Sequence, residues 1–365
     1  MPGKKSAGKH DTGETRATRG TGREGAAPVA PVAPFDQRTI EKQMAAVARL
    51  LEEQEFESIE EAEAFLQATL ASGELPTPAP ATPLEQAQDV VYQALEATGK
   101  RRLDLARKAL TISADCADAY VLLAESTTDI QEARRLYEQG VQAGERALGA
   151  EVFDEVAGEF WDLIETRPYM RARHRLAEVQ WRLGEREAAI GHARELLRLN
   201  PGDNQGIRYL LATWLLAVGD DAGLESLLAD YPEEWSANWA YTRVLLTFRR
   251  SGAGRKADQA LKHALEVNPH VPLYLLGIAS PPKQFPAYYG IGDENEAIVY
   301  VTEAGEAWLA TPEALAWLAE ALLRLTPPAG APRPKQPKQP KQPKQPKQPK
   351  QPPQGRGERS RQPPT

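Results

Sequence analysis

Arginine and tryptophan side chains recur through the middle of this 365-residue chain, at positions where helices would display them together. A guanidinium binds a carboxylate through two parallel hydrogen bonds, and an indole ring supplies a large apolar contact. The open alternative is that the arginines pair with neighbouring glutamates on a solvated helix surface. The first interpretation predicts a groove that binds an acidic or C-terminal peptide, with these candidate residues: Arg171, His174, Trp181, Arg182, Arg208, Trp239, Arg249 and Arg250.

The residue types that support catalysis or metal binding do not form a known motif. No two of the five histidines are four residues apart, so the His-Glu-x-x-His spacing of zinc hydrolases is missing. The single cysteine, Cys116, excludes an intramolecular disulfide, and the negative charges of Asp115 and Asp118 should raise its thiol pKa. Serine hydrolase and kinase signatures are also missing. We therefore expect a protein that is not an enzyme and has no cofactor or metal site.

One glycine-rich stretch invites comparison with a phosphate-binding loop. The sequence Gly290-Ile-Gly292-Asp293 offers backbone amides at a helix start, and such amides bind anions. It lacks the third glycine and the lysine of the known loops, and no strand precedes it. We expect it to be an ordinary turn between two helices.

The spacing of two Asn-Pro pairs predicts the elements that position the candidate residues. Asn200-Pro201 and Asn268-Pro269 are 68 residues apart, which is twice the 34-residue period of tetratricopeptide repeats. In the best unit, residues 170–203, apolar residues follow a helical period on both sides of a turn at Gly184. The same order recurs over residues 238–271. The pattern predicts a stack of helix pairs.

Weaker units extend this pattern in both directions. One unit between the two good ones turns at Gly219-Asp220 and has a degenerate end near Tyr231-Pro232. Upstream, Tyr120 begins a unit whose second helix should be short, and downstream Pro281-Pro282 interrupts a unit before a closing helix opens at Thr311-Pro312. Alternating β-branched residues are nearly absent. We predict an all-α solenoid of five or six helix pairs, in which the first helices line a concave groove.

These units resemble the tetratricopeptide-repeat (TPR) family, although the usual tryptophan at the start of the first helix is replaced by Arg173, Ile207 and Tyr241. Four longer stretches, 116–125, 167–173, 199–206 and 268–274, are similar to the bacterial branch of the suppression-of-tumorigenicity repeat proteins. This second resemblance implies no established activity. The transmembrane segments of animal members of that group have no counterpart here, because no apolar run reaches about 18 residues.

Composition divides the chain along its length. Ser58 with Glu61, and Thr82 with Glu85, have the spacing of capping boxes that open helices. Proline crowds into three places, while almost everything between residues 84 and 325 has a helical period. We predict a disordered basic tail (1–34), a small helical segment (35–75), a proline-rich linker (76–83), the TPR-like solenoid (84–325) and a disordered basic tail of Pro-Lys-Gln triplets (326–365).

Charge is segregated in the same way. The total is −7, residues 1–27 carry +3 and residues 326–365 carry +9, so the remaining body carries −19. An acidic body repels nucleic acid, and any contact with a polyanion must go through the tails. The triplets place lysine at every third residue, which would line one edge of a polyproline II rod. The alternative is a solubilising extension without a specific partner.

An aromatic stripe, Phe153, Phe160 and Trp161 with their apolar neighbours, lies between two units and predicts an extra helix packed on the solenoid or, alternatively, a partner site. Taken together, the sequence favours a non-catalytic, cytoplasmic scaffold that binds a peptide or protein segment in the groove. The alternative is a helical accessory protein that contacts nucleic acid through its basic tails. We expect no membrane partner, and the oligomeric state stays open.

Overall fold

The computed structural model of the protein describes residues 38–54, 56–71 and 79–325. Within these ranges the chain forms sixteen α-helices and no β-strand, which confirms the all-α prediction there. None of the described helices is both long enough and apolar enough to cross a bilayer. Both predicted disordered tails, 1–34 and 326–365, lie outside the described residues.

Two compact units divide the chain between Asp230 and Tyr231. Unit 1 holds the first eleven helices and unit 2 the remaining five. The helices of unit 1 are α1 (Arg38–Glu52), α2 (Ile59–Ala71), α3 (Pro83–Glu96), α4 (Gly99–Ile112), α5 (Ala117–Glu125), α6 (Ile130–Leu148), α7 (Val152–Glu155), α8 (Arg167–Arg182), α9 (Arg186–Leu199), α10 (Ile207–Val218) and α11 (Asp221–Asp230).

The two predicted capping boxes begin α2 and α3. At α3, the Thr82 hydroxyl accepts a hydrogen bond from the amide of Glu85 at 3.2 Å, and the Glu85 carboxylate accepts one from the amide of Thr82 at 2.9 Å. At α2, the Ser58 hydroxyl accepts from the amide of Glu61, whereas the Glu61 carboxylate reaches the amide of Glu57. Each box satisfies amides that the first turn of a helix leaves without partners.

Helices in unit 1 pack in sequence order. The pairs α3 with α4, α5 with α6, α8 with α9 and α10 with α11 are in contact, and α5 also touches both α3 and α8. The helix α6 packs closely on α8. A Cβ atom on Gly144 would lie only 2.7 Å from the Cβ of Tyr169. Ala177 and Ala189, predicted to allow close approach of two helices, are fully buried on α8 and α9.

The sequence predicts a short second helix for the unit that begins near Tyr120. In the structure this helix is long. It is α6, and its 19 residues make it the longest described helix. The Asp129 carboxylate caps its start by accepting hydrogen bonds from the amides of Gln131 and Glu132, and the helix continues through Gly140 and Gly144 to its end at Gly149, which has a positive φ of 78°.

The prediction of an extra helix after α6 is also wrong. Only the single turn α7 forms, and the amides of Gly158 and Phe160 both donate to the carbonyl of Leu199 at 3.1 Å. These bonds hold the backbone against the end of α9, so it cannot continue as a helix. Phe160 is fully buried, with its ring centroid 5.2 Å from that of Phe153 and 6.2 Å from that of Tyr169.

Unit 2 is organised around a buried carboxylate. Glu296 accepts hydrogen bonds from the amides of Ala237 and Gly292, at 2.8 and 2.7 Å, and from the side-chain amide of Asn268 at 3.0 Å. The second Asn-Pro pair is therefore tied to helices on either side of it. The helices of unit 2 are α12 (Ala237–Ser251), α13 (Arg255–Val267), α14 (Val271–Leu275), α15 (Glu294–Leu309) and α16 (Pro312–Leu325), of which α12 packs against α13, α15 and α16.

Candidate functional site

The helix α8 carries four of the candidate residues, and Arg171 is the most constrained of them. Its guanidinium donates two hydrogen bonds to Asp118 of α5, at 2.9 and 2.6 Å. A third goes to Glu41 of α1 at 2.8 Å. The side chains of Asp118 and Glu41 are 0% and 2% exposed, so a fork of the predicted kind exists and both of its carboxylates come from this chain.

Burial and charge act differently on the two carboxylates. Burial raises the pKa of Glu41, and the nearby charge of Asp118 adds to that, while Arg171 opposes it. Burial would also raise the pKa of Asp118, but the charge and hydrogen bonds of Arg171 outweigh it and hold that pKa below its usual value. Glu41 is thus the more easily protonated of the two carboxyl groups beside Arg171.

The helix α1 lies across the first helices of three consecutive pairs. Arg38 pairs with Glu125 of α5 at 3.4 Å, and Arg167 of α8 comes within 3.5 Å of Glu41. Two more ion pairs join α1 to α3: Lys42 with Glu96 at 2.8 Å and Arg49 with Asp89 at 2.6 Å. We call this surface of unit 1 the α1-binding face; its charged residues are Asp89, Glu96, Asp118, Glu125, Arg167 and Arg171.

Sequence reasoning named Arg171 but missed the carboxylates that it binds. Glu41 is 130 positions away along the chain and Asp118 is 53 positions away. Neither belongs to a motif, and no local spacing connects them to α8. The one available signal was the position of Asp118 in the first turn of α5, at the start of a predicted first helix.

The other three candidate residues on α8 do not share the contacts of Arg171, and each has different neighbours. The Trp181 ring stacks on that of Trp214 with centroids 4.7 Å apart and planes 8° from parallel, and the Arg186 guanidinium lies 3.8 Å from the Trp181 centroid. His174 lies 3.7 Å from the Glu178 carboxylate, and burial lowers its pKa. Arg182 is exposed at the end of the helix.

Arg208, the candidate on α10, is bound to a residue that caps its own helix. The Asp203 carboxylate accepts from the amides of Ile207 and Arg208, at 2.7 and 2.9 Å, and lies 3.3 Å from the Arg208 guanidinium. The same guanidinium lies 4.6 Å from the centroid of the Tyr209 ring. Asp203 has a positive φ of 52°, a conformation that Asp tolerates better than most residues. In this structure Arg208 stabilises a helix start.

Unit 2 holds the last three candidates. Trp239 is fully buried, its indole N–H donates to the carbonyl of Tyr231 at 3.2 Å, and the two rings meet edge to face. Arg249 donates to the carbonyl of Ala307 and to the hydroxyl of Thr311, both at 3.2 Å. Arg250 is exposed. Five candidates therefore lie in unit 1 and three in unit 2.

The groups considered for catalysis are engaged within the fold. Cys116 is buried, and burial together with Asp118 raises its pKa to about 12, so it is a thiol at neutral pH. Among the described residues, no cluster of three His, Cys, Asp or Glu side chains has the geometry of a metal site. Gly290 donates its amide to the Asp293 carboxylate at 2.6 Å, and Gly292 donates to Glu296. The glycine-rich stretch is a turn whose amides already hold carboxylates.

Comparison with known proteins places the chain in one family. The family model described as ST7 protein matches residues 80–320. Over 225 residues the chain is 33% identical to suppressor of tumorigenicity 7 protein-like of Rattus norvegicus, covering 54% of this chain and 40% of the relative. Over 233 residues it is 30% identical to protein ST7 homolog of Caenorhabditis briggsae, covering 52% and 42%. The chain spans about two fifths of the length of these relatives, and it belongs to the ST7 protein family.

Proposed function

We propose that this chain is a non-catalytic protein-interaction module in which the α1-binding face holds a helical segment of a partner protein. The observation that carries the proposal is α1 itself. A helix already lies across α3, α5 and α8, and it presents a carboxylate to Arg171. A surface that receives one helix through charged and apolar contacts has the chemistry to receive another.

We further propose that unit 1 is a TPR-like solenoid of the bacterial branch of the family. The order of contacts supports this, because α5 touches the first helices before and after it as well as its own partner α6. Such stacking would leave the first helices on a concave side. A cytoplasmic location is part of the same proposal, since a single cysteine, Cys116, fits a reducing compartment.

The charge pattern of the α1-binding face would give selectivity. Arg167 and Arg171 form a basic site, in which Asp118 of α5 neutralises one of the two charges. The other charged residues of the face are acidic: Asp89, Glu96 and Glu125. A partner helix in the wrong register or direction would bring like charges together, which costs binding free energy. The face therefore favours one orientation of a helix with both signs of charge.

The proposal is tested with a synthetic peptide of residues 38–54, which contains α1. The acceptor is the full chain carrying Glu41→Lys and Leu50→Asp, two changes that weaken docking of its own α1. Hydrogen exchange should show that added peptide protects amides of α3, α5 and α8, while those of α13 in unit 2 stay unchanged. Protection confined to unit 2, or none at all, would refute the proposal.

A second candidate function is contact with nucleic acid through the basic tails. Its support is the charge of +9 on residues 326–365, beside a body that carries −19. The test is retention of a duplex DNA of about 30 base pairs at low salt, with and without those residues. Loss of retention on deletion, with peptide binding preserved, would assign the two activities to separate parts of the chain.

A further inference from the structure

The helix α1 is held with little apolar burial. Ala46 and Leu50 are its only described side chains of apolar type that are buried, at 7% and 5% exposure. Much of the remaining attachment consists of ion pairs. In one of them, Lys42 and Glu96 are 47% and 59% exposed, and such pairs contribute little because water screens them. By comparison, α8 buries six apolar side chains in addition to its polar contacts: Tyr169, Met170, Ala172, Leu176, Ala177 and Val179.

The buried ion pair between Glu41 and Arg171 fixes the position of α1 more than it strengthens the binding of α1 to the face. Glu41 is almost fully buried, and one of its carboxylate oxygens, Oε1, accepts from Arg171. The other oxygen, Oε2, is buried without a hydrogen-bond partner. Removing a carboxylate from water is costly, and an incomplete set of hydrogen bonds recovers only part of that cost. A helix with the same carboxylate and more apolar contact would bind the face better.

The space for that contact is present under α1. A cavity of about 320 Å³, partly open to solvent, lies between α1 and the rest of unit 1, below the small side chains Ala45 and Ala48. Because no side chain of α1 occupies this space, α1 fills its site incompletely. Apolar residues that line the cavity are Leu84, Tyr92, Leu148, Ile164 and Tyr169.

We infer that the partner segment is an amphipathic helix that places a carboxylate where Glu41 lies and bulky apolar side chains where Ala45 and Ala48 lie, and that it displaces α1. Position 45 follows position 41 by four residues, and position 48 follows position 45 by three, so the carboxylate and the two apolar side chains share one helix face. This inference rests on the proposed function and adds to it the chemistry of the partner and its competitor.

The partner chemistry is tested with variants of the 38–54 peptide, binding to the full chain that carries Glu41→Lys and Leu50→Asp. Replacing both Ala45 and Ala48 by leucine should tighten binding at least about tenfold, because added methylene groups fill the cavity. A Glu41→Lys peptide should bind about 30-fold more weakly. The matched control is Glu53→Lys, which makes the same charge change at an exposed position and should leave affinity unchanged.

Displacement is tested on the wild-type chain. A tethered helix acts at an effective concentration on the order of 1 mM, so if free α1 binds the face with a dissociation constant of about 10 μM, any competing peptide would bind the wild type about 100-fold more weakly than the α1-weakened variant. Adding the two-leucine peptide should also remove exchange protection from the amides of α1, while those of α9 keep theirs.

The outcomes separate the two proposals. Equal affinity of the alanine and leucine peptides, or binding to the wild type while α1 stays protected, overturns this inference and leaves the proposed function standing. Failure of every peptide to bind the variant, with its helix content intact by circular dichroism, overturns both. If the variant unfolds, hydrogen exchange of the wild-type chain tests the inference instead. The amides of α1 should then exchange faster than those of α8 and α9, and one common exchange rate for all three helices would overturn the inference.

Discussion

Two helices that the sequence predicts to be equivalent, α8 in unit 1 and α12 in unit 2, meet very different neighbours. On α8, Arg171 binds carboxylates from α1 and α5. On α12, Trp239 is fully buried, and Tyr241 is too, with its hydroxyl donating to the carbonyl of Asn268 at 2.6 Å. A charged face covered by a separable helix can exchange its occupant, whereas an apolar face built into the core cannot.

The comparison predicts that unit 2 loses most when its apolar side chain is cut back. Trp239→Ala should lower the free energy of unfolding by about 4 kcal/mol, because it removes a fully buried ring and leaves a cavity. Urea unfolding followed by circular dichroism measures this. Trp235, which is 62% exposed, is the matched control, and Trp235→Ala should change stability by less than about 0.5 kcal/mol. Equal losses for the two variants would contradict the assignment of Trp239 to the core.

In unit 1 the corresponding loss should depend on charge rather than on volume. Arg171→Met leaves Asp118 and Glu41 buried without their cation and should cost about 3 kcal/mol of unfolding free energy. A triple variant with Asp118→Leu and Glu41→Leu should recover most of it, because replacing a whole buried ionic group by apolar side chains is often neutral. The exposed Arg182→Met is the control. A triple variant as unstable as the single one would mean that the ion pairs themselves stabilise the fold.

The smallest predicted effect concerns acid. Burial, with a contribution from Arg173, lowers the pKa of His192 on α9 to about 4, against an ordinary value of 6.5. Between these values the unfolded chain binds more protons than the folded one, so stability should fall as the pH is lowered from about 6.5 towards 4. His192→Gln should flatten this part of the profile in urea titrations at successive pH values. His263→Gln, at an exposed site in unit 2, is the matched control, and a His192→Gln profile that cannot be distinguished from the wild-type profile would contradict the prediction.

Local signals predicted the individual helices well. The turns at Gly184 and Gly219 separate described helices, and the Thr82 capping box begins α3. These features depend on residues within a few positions of each other, so a sequence contains all the information that they need. The same reasoning failed for the segment after α6, where hydrogen bonds to Leu199, more than 35 positions away, decide the backbone path.

The candidate site depends on contacts between residues that are far apart in the sequence. Sequence analysis predicted a helical piece within residues 35–75, but its pattern does not indicate which surface that piece covers. Likewise, an arginine at a helical position predicts a carboxylate partner without saying whether the partner belongs to this chain. The sequence by itself determined the all-helical class and most helix starts and turns, because helix periodicity and capping act over a few residues. Only the tertiary structure decided that Glu41 lies on Arg171, because an ion pair across 130 positions exists only once the chain has folded around it.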